Sequence, residues 1–180
     1  MKVELKKDFD KKCFRIGASK FKLCCWYLTN LIVFRTGLIP FSNILVGILR
    51  LFGAKIGTDV RIKPHIYIKY PWKLSVGNHS WLADCYLENL DHINIGEHVC
   101  ISQCAMLLTG NHNYRSPDFD LVTRPITIEN GVWICANTTI GPGVIARAGS
   151  ILLTGSVATS NLNPNVIYQG NPARAKRKRY

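Results

Sequence analysis

Residues 128–158, "IENGVWICANTTIGPGVIARAGSILLTGSVA", decide how this chain folds. Ile128, Ile134, Ile140, Ala146, Leu152 and Ala158 stand six residues apart. Four positions after each of the first five comes a small or branched residue: Val132, Thr138, Val144, Ser150 and Ser156. A period of six matches neither the 3.6 of an amphipathic helix nor the 2 of an ordinary strand. It fits a chain that turns a corner after every short strand, so that a few hexads complete one coil of a parallel β-helix. Each aliphatic then points inward and stacks on its counterpart one coil away. Pairing between coils satisfies the backbone, and the open ends need covering.

The same rhythm runs backwards through the chain. Ile56, Ile62 and Ile68 obey it, and after a two-residue slip it resumes at Val76 and Leu82. A further slip leads to Ile95, Ile101 and Leu107. Leu107 to Ile128 is then 21 residues where one hexad would suffice. The 15 extra residues are not a multiple of six, so they leave the coil as a loop, placed at 109–125. Asn111, Asn113, Ser116-Pro117-Asp118 and Pro125 favour turns there. Long loops within compact repeats usually carry function, and this one presents His112.

Upstream, residues 20–53 read as helical. "FKLCCWYLTNLIVF" is apolar nearly all round, "RTGLIP" breaks it, and "FSNILVGILRLFG" resumes, with Ser42 or Asn43 as candidate N-cap. Trp26, Leu31, Phe34, Ile48 and Phe52 are more apolar surface than two helices need for themselves. They cover either the end of the β-helix or a membrane surface. The expected organisation is a basic N-terminal segment with helical cap at 1–53, the β-helix at 54–163, and a basic tail at 164–180, disordered beyond Lys178.

The net charge of +12 sits at the two ends. Residues 1–22 hold eight Lys or Arg against three acids, and residues 174–179 hold five more cations. The nearly neutral body between them is no nucleic-acid groove. Basic ends suit anionic lipid or phosphate-bearing ligands, or serve solubility alone. The seven cysteines are odd in number and follow no secretory signal, so reduced thiols in a cytoplasmic protein are expected. No apolar run is long enough to span a bilayer.

The chain from "LRLFGAKIG" through "SVGNHSWL", "LLTGNHNYRSPDFDL" and "PITIENGVWICANTTIGPGV" to "YQGNPAR" resembles the hexapeptide-repeat acyltransferases. The likeness is greatest to the colanic acid biosynthesis acetyltransferase group and its sugar O-acetyltransferase relatives. The resemblance implies a left-handed coil, a homotrimer with sites between neighbouring prisms, acetyl-CoA as donor, and the histidine of "TGNH", His112, as general base. It places Trp133 along the donor channel with Ala136 beside the pantetheine, where relatives carry serine. Thr154 and Thr159 fall at the pantetheine and adenosine ends, and Arg174, assisted by Lys176, at the phosphates. Glu88 and Asn89 fall where relatives hold the acceptor. The implied acceptor is a sugar or lipid-linked oligosaccharide in surface polysaccharide assembly, at the inner face of a membrane that the N-terminal segment would touch.

The chemistry needs these residue types. A sugar hydroxyl attacks a thioester only as its proton leaves, and imidazole, with an ordinary pKa near 6.5, is a usable base at neutral pH. A positioned base contributes about 10²–10⁴-fold. A carboxylate is expected to orient His112, with Asp118 and Asp120 in the same loop and Glu88 as the candidates. Counting in sixes from Leu82 puts Glu88 where an inward aliphatic belongs, which makes it either a functional buried charge or a solvated corner residue. Ala146-Arg147 replaces the relatives' usual Ile-Gly, so the last full coil is expected to be irregular, with Arg147 reaching outward.

Two further readings keep the fold. Some β-helix trimers hydrate carbon dioxide with zinc on three histidines, but His92 and His98 are six apart and the loop holds only His112, so no metal is expected. His65, His79, His92 and His98 read as solvated corner or outward residues. The other reading is a trimeric scaffold without activity, against which the histidine loop, Trp133 and Arg174 argue.

Overall fold

The computed structural model describes Leu5 and residues 14–180; the basic stretch before Phe14, with Cys13, otherwise lies outside the described residues. From Lys55 the chain winds five times around one axis. The first coil is β1 (Lys55–Ile56), β2 (Arg61–Ile62) and β3 (Tyr67–Ile68), and the second is β4 (Leu74–Val76), β5 (Trp81–Leu82) and β6 (Tyr86–Glu88). The third is β7 (Ile93–Ile95), β8 (Cys100–Ile101) and β9 (Met106–Leu108), after which β10 (Gly110–His112) and β11 (Leu121–Thr123) leave the wall. The fourth is β12 (Ile126–Ile128), β13 (Trp133–Ile134) and β14 (Thr139–Ile140), and the fifth is β15 (Ile145–Ala146), β16 (Ile151–Leu152) and β17 (Val157–Ala158).

Strands of successive coils pair in parallel, making three sheets that form the walls of a prism. One inward column fills it from each wall. They are Ile56-Val76-Ile95-Ile128-Ala146, Ile62-Leu82-Ile101-Ile134-Leu152 and Ile68-Leu87-Leu107-Ile140-Ala158. None of these side chains is more than 9 % exposed. Each buried Leu or Ile contributes roughly 1.5–3 kcal/mol, so the period of six is a direct imprint of the core. The columns correct one count: the step after Leu82 is five residues, so Leu87 points inward and Glu88 does not. They also correct the expected irregularity of the fifth coil, where Ala146, Leu152 and Ala158 are fully packed. Arg147 is exposed, as read.

The corner between the first and second walls repeats a left-handed residue: Asp59, His79, His98, Gly131, Gly149 and Asn165 all have φ between 51° and 68°. Asp, Asn and His tolerate that region better than other side chains. This accounts for two of the histidines. His79 and His98 are corner residues whose rings stack 5.0 Å apart, with Asp59 on His79 Nδ1.

The helices α1 (Lys20–Thr29), continued by a π turn over Asn30–Phe34, and α2 (Ser42–Leu51) close the N-terminal end. Trp26, Phe34, Leu45 and Leu49 are buried in the same core as the first coil. Polar atoms of the cap meet all three open edges. Arg50 donates to the carbonyls of Ile56 and Gly57, and Trp26 Nε1 donates to those of Ile68 and Lys69. Ser42 Oγ accepts from Ile62 N–H and donates to the Val60 carbonyl. Ser42 was expected as an N-cap; Phe41 holds that place without a side-chain bond, because the Ser42 hydroxyl is spent on the sheet edge. A strand edge left open at this end would pair with anything extended.

The other end differs from the expected tail. β18 (Val166–Gln169) stacks in parallel on β16, and β19 (Arg174–Lys178) returns antiparallel beside it. Beyond Lys178 the chain is held too, since Arg179 N–H donates to the Asn165 carbonyl and its guanidinium to those of Gly131 and Gly149. Residues 164–180 therefore close the second wall rather than trail from it.

Candidate active site

The 109–125 excursion carries a short hairpin. β10 and β11 pair antiparallel with His112 opposite Leu121, and the turn between them is tied by Asn113 N–H on the Asp120 carbonyl at 2.8 Å. Thr109 anchors its base. Its hydroxyl, fully buried, donates to the Glu88 carbonyl at 2.8 Å and accepts from Asp91 N–H at 2.9 Å.

At the rim of this hairpin His112 is exposed but not free to turn. Its Nδ1 lies 2.7 Å from the Phe119 carbonyl oxygen, and its ring stacks on that of Phe119 at 4.5 Å with 10° between the planes. A carbonyl can only accept, so Nδ1 carries the hydrogen and the lone pair sits on Nε2. The partner of Nδ1 is thus a main-chain oxygen, not the carboxylate that was expected. Asp118 is exposed in the turn and Asp120 is buried at its base. Phe119 reaches this position with φ 51°, which costs a non-glycine residue about 1–2 kcal/mol and fixes where its carbonyl points.

His112 opens onto a cleft of about 620 Å³ between the hairpin and the corner joining the third and first walls. Asn111, Tyr114, Arg115 and Arg124 come from the excursion, Gly141-Pro142 from the fourth coil and Thr159 from the fifth. Two cations, Arg115 and Arg124, therefore line the cleft together with the imidazole, and their sequence context did not single them out. Arg124 follows the last hairpin strand and precedes Pro125, and that punctuation is the only signal it carries.

The acceptor candidates lie below on the same corner. Glu88 ends β6, ion-paired to Lys69 and accepting from Tyr86 Oη at 2.6 Å. Burial works to lower the Lys69 pKa, but the Glu88 hydrogen bond and charge outweigh it and hold the ammonium above its ordinary value. Burial, then Glu88, pushes the Tyr86 phenol up, so it stays protonated as a donor. Tyr86 stacks on Tyr67 at 4.2 Å. Asn89 is wholly buried and spends its amide on Tyr70, accepting from the main-chain N–H at 2.9 Å and donating to the carbonyl at 2.6 Å. Its side chain holds the corner.

The donor candidates gather on a different corner. Trp133 projects from the second wall, 45 % exposed, its indole N–H on Ser102 Oγ at 3.0 Å. Ala136 and Thr154 stack in successive coils just beyond it, joined through Gly155 N–H on the Ala136 carbonyl. Arg174 opens β19 opposite Gln169, and Lys176 follows on the same exposed strand. Thr159 alone shares the cleft of His112. No group of three His, Cys, Asp or Glu is placed to hold a metal ion among the described residues.

No family model matches the chain. It is, however, 36 % identical over 169 residues to WcaF of Escherichia coli (strain K12), a protein named for acetyl transfer in colanic acid biosynthesis. The alignment covers 93 % of this chain and 92 % of that one. The chain belongs to the hexapeptide-repeat acyltransferases. Within this family it is also 31 % identical to the galactoside O-acetyltransferase of the same organism, over 69 % of this chain and 64 % of the relative. Among solved structures, a hexapeptide-repeat acetyltransferase of Vibrio cholerae, complexed with acetyl coenzyme A, shares the fold. Its TM-score is 0.81 at 22 % identity, covering 96 % of this chain and 93 % of that one. The left-handed parallel β-helix expected from the resemblance is the architecture found.

Proposed function

We propose that the chain is an acetyl-CoA-dependent O-acetyltransferase acting on a sugar hydroxyl during surface polysaccharide assembly, with His112 as general base. The observation that carries this reading is the imidazole at the edge of a cleft, its Nδ1 held by the Phe119 carbonyl so that Nε2 is the basic nitrogen. In the reaction Nε2 takes the hydroxyl proton as the sugar oxygen attacks the thioester carbonyl. The tetrahedral intermediate collapses by breaking its C–S bond, and the imidazolium returns the proton to the departing thiolate of CoA. No covalent enzyme intermediate is needed. The positive charge that forms on the imidazole is stabilised by its bond to the Phe119 oxygen.

The relatives' names support the acceptor and donor classes. Trp133, Ala136 and Thr154 form a continuous outward strip that suits the pantetheine arm. Arg174 and Lys176, at its exposed end, suit phosphates. That strip and the hairpin of His112 rise from different corners of one prism, and the two corners are themselves separated by ~20 Å of strand and turn. A homotrimer in which the strip of one copy faces the hairpin of the next reconciles them. On the acceptor side, Glu88 with its two tyrosines and Lys69 offers a polar edge beside an aromatic face, suited to a sugar ring.

The decisive experiment measures thioester cleavage with a panel of sugar acceptors. His112→Ala should lower kcat at least a hundredfold while CoA binding, followed by calorimetry, is unchanged. An unaltered rate in that variant refutes the assignment, and absence of transfer by the wild type to every acceptor favours a scaffold.

A further inference from the structure

One end of the prism is covered by helices, but those helices are themselves half uncovered. α1 and its π turn are apolar on every side, and such a helix is normally buried all round. Here Trp26, Asn30 and Phe34 face the first coil. The opposite side shows Phe21, Leu28 and Ile32 to solvent, and the link and α2 add Leu38, Phe41 and Leu51, every one at least half exposed. Both helices bury one side against the first coil, so their bare sides turn away from it. A contiguous apolar face of this kind on a soluble chain marks a surface that something covers.

The charge around it selects the occupant. The described residues 14–58 contain six Lys or Arg and no acid. A second copy set end to end would bring cations against cations. An anionic lipid surface complements both properties, since each cation near it gains about 1 kcal/mol and each buried aliphatic adds to that. We infer that the helical cap is a docking face for an anionic bilayer, with the prism axis standing upright on the membrane. No described helix is long and apolar enough to cross it, so the contact is peripheral. The geometry also sets a height. The hairpin leaves the third coil, two strand spacings above the first, and the cap adds one helix layer, so His112 stands ~20 Å above the lipid surface. Resting on the acetyl-transfer reading, this favours acceptors whose reactive sugar is held away from the bilayer by further sugars over those attached directly to lipid.

The test is flotation of the full chain with vesicles of phosphatidylcholine alone or mixed with phosphatidylglycerol. Binding is expected to the mixed vesicles and not to the neutral ones, weakening as salt screens the charges. A triple variant, Ile32→Glu, Leu38→Glu and Leu51→Glu, changes only exposed positions. It should lose at least tenfold in bound fraction while its circular dichroism and melting curve stay those of the wild type. Equal flotation of variant and wild type, or no binding to the mixed vesicles, overturns the inference. So does a protein whose mass doubles through this face and is halved by the triple variant, since a second copy is then the occupant. None of these readouts requires the enzyme to be active, so failure of the acetyl-transfer reading leaves them standing.

Discussion

Two substitutions side by side in the hairpin separate a main-chain orienter of His112 from a carboxylate. Asp118→Asn removes the exposed charge beside the turn and leaves the Phe119 carbonyl untouched; kcat should stay within about twofold of wild type. Phe119→Ala keeps the carbonyl, 2.7 Å from Nδ1, but removes the ring that stacks on the imidazole at 4.5 Å. Such a pair is worth about 0.5–1.5 kcal/mol. Each ~1.4 kcal/mol is a factor of ten in rate, so losing the stack should lower kcat about two- to tenfold as the imidazole spends more time turned away. The donor KM should not move, because neither residue lies on the Trp133 strip. Steady-state thioester cleavage at saturating acceptor reads both variants directly. If Asp118→Asn lost more than tenfold while Phe119→Ala lost nothing, a carboxylate would be the orienting group and the geometry above would be the wrong one.

Two other expectations concern the prism. Gly77→Ala should destabilise by about 2–3 kcal/mol in urea unfolding, because its Cβ would sit 2.6 Å from the Gly96 carbonyl carbon, a backbone atom of the next coil that cannot rotate aside. Gly155→Ala, with φ 70° but nothing within 4 Å, should cost only about 1 kcal/mol. Burial pushes the Cys135 thiol up to about 11 and that of Cys85 to about 12, against an ordinary 9.0. A raised folded-state value means the unfolded chain gives up these protons first. The stability tied to them is complete below pH 9 and drains as pH climbs toward 11 for Cys135 and 12 for Cys85. Alkylation at pH 8, followed by mass spectrometry, should mark exposed Cys24 and Cys104 well before either.

The fold was legible because an aliphatic turns inward at about every sixth residue, with a small or branched residue buried at the corner before it, and that spacing has no other way to be buried. The excursion was legible for the complementary reason, since 15 residues cannot be divided into hexads. What could not be read was any feature resting on main-chain direction. The Phe119 oxygen points at His112 because Phe119 adopts a left-handed conformation, a choice not apparent from "SPDFDL". Asn89 was read as an acceptor residue from its place in the chain, and nothing in "LENLD" shows that its amide bonds two main-chain atoms of Tyr70, one coil away. Glu88 was placed inward by counting, when the chain had shortened one step by a residue. Arg179 looked like loose charge and is tied to the carbonyls of Gly131 and Gly149, which only the stacked coils bring together.

The slips themselves prove to be the organising feature of the site. The inward residues step from Ile68 to Val76, from Leu87 to Ile95 and from Leu107 to Ile128, and each of these longer steps rounds the corner between the third and first walls. Along the sequence they look like three unrelated breaks; in the prism they lie one above another. The first supplies Lys69 and Tyr70, the second Glu88 and Asn89, and the third the hairpin with His112, braced by Thr109 onto the second. The other two corners keep nearly the strict count. A coil of short strands has no spare backbone for function, since every hexad must return an aliphatic to the core, so extra residues can be added only at a corner. Stacking the additions at one corner lets successive excursions support each other, and a side chain held between two of them is positioned by both.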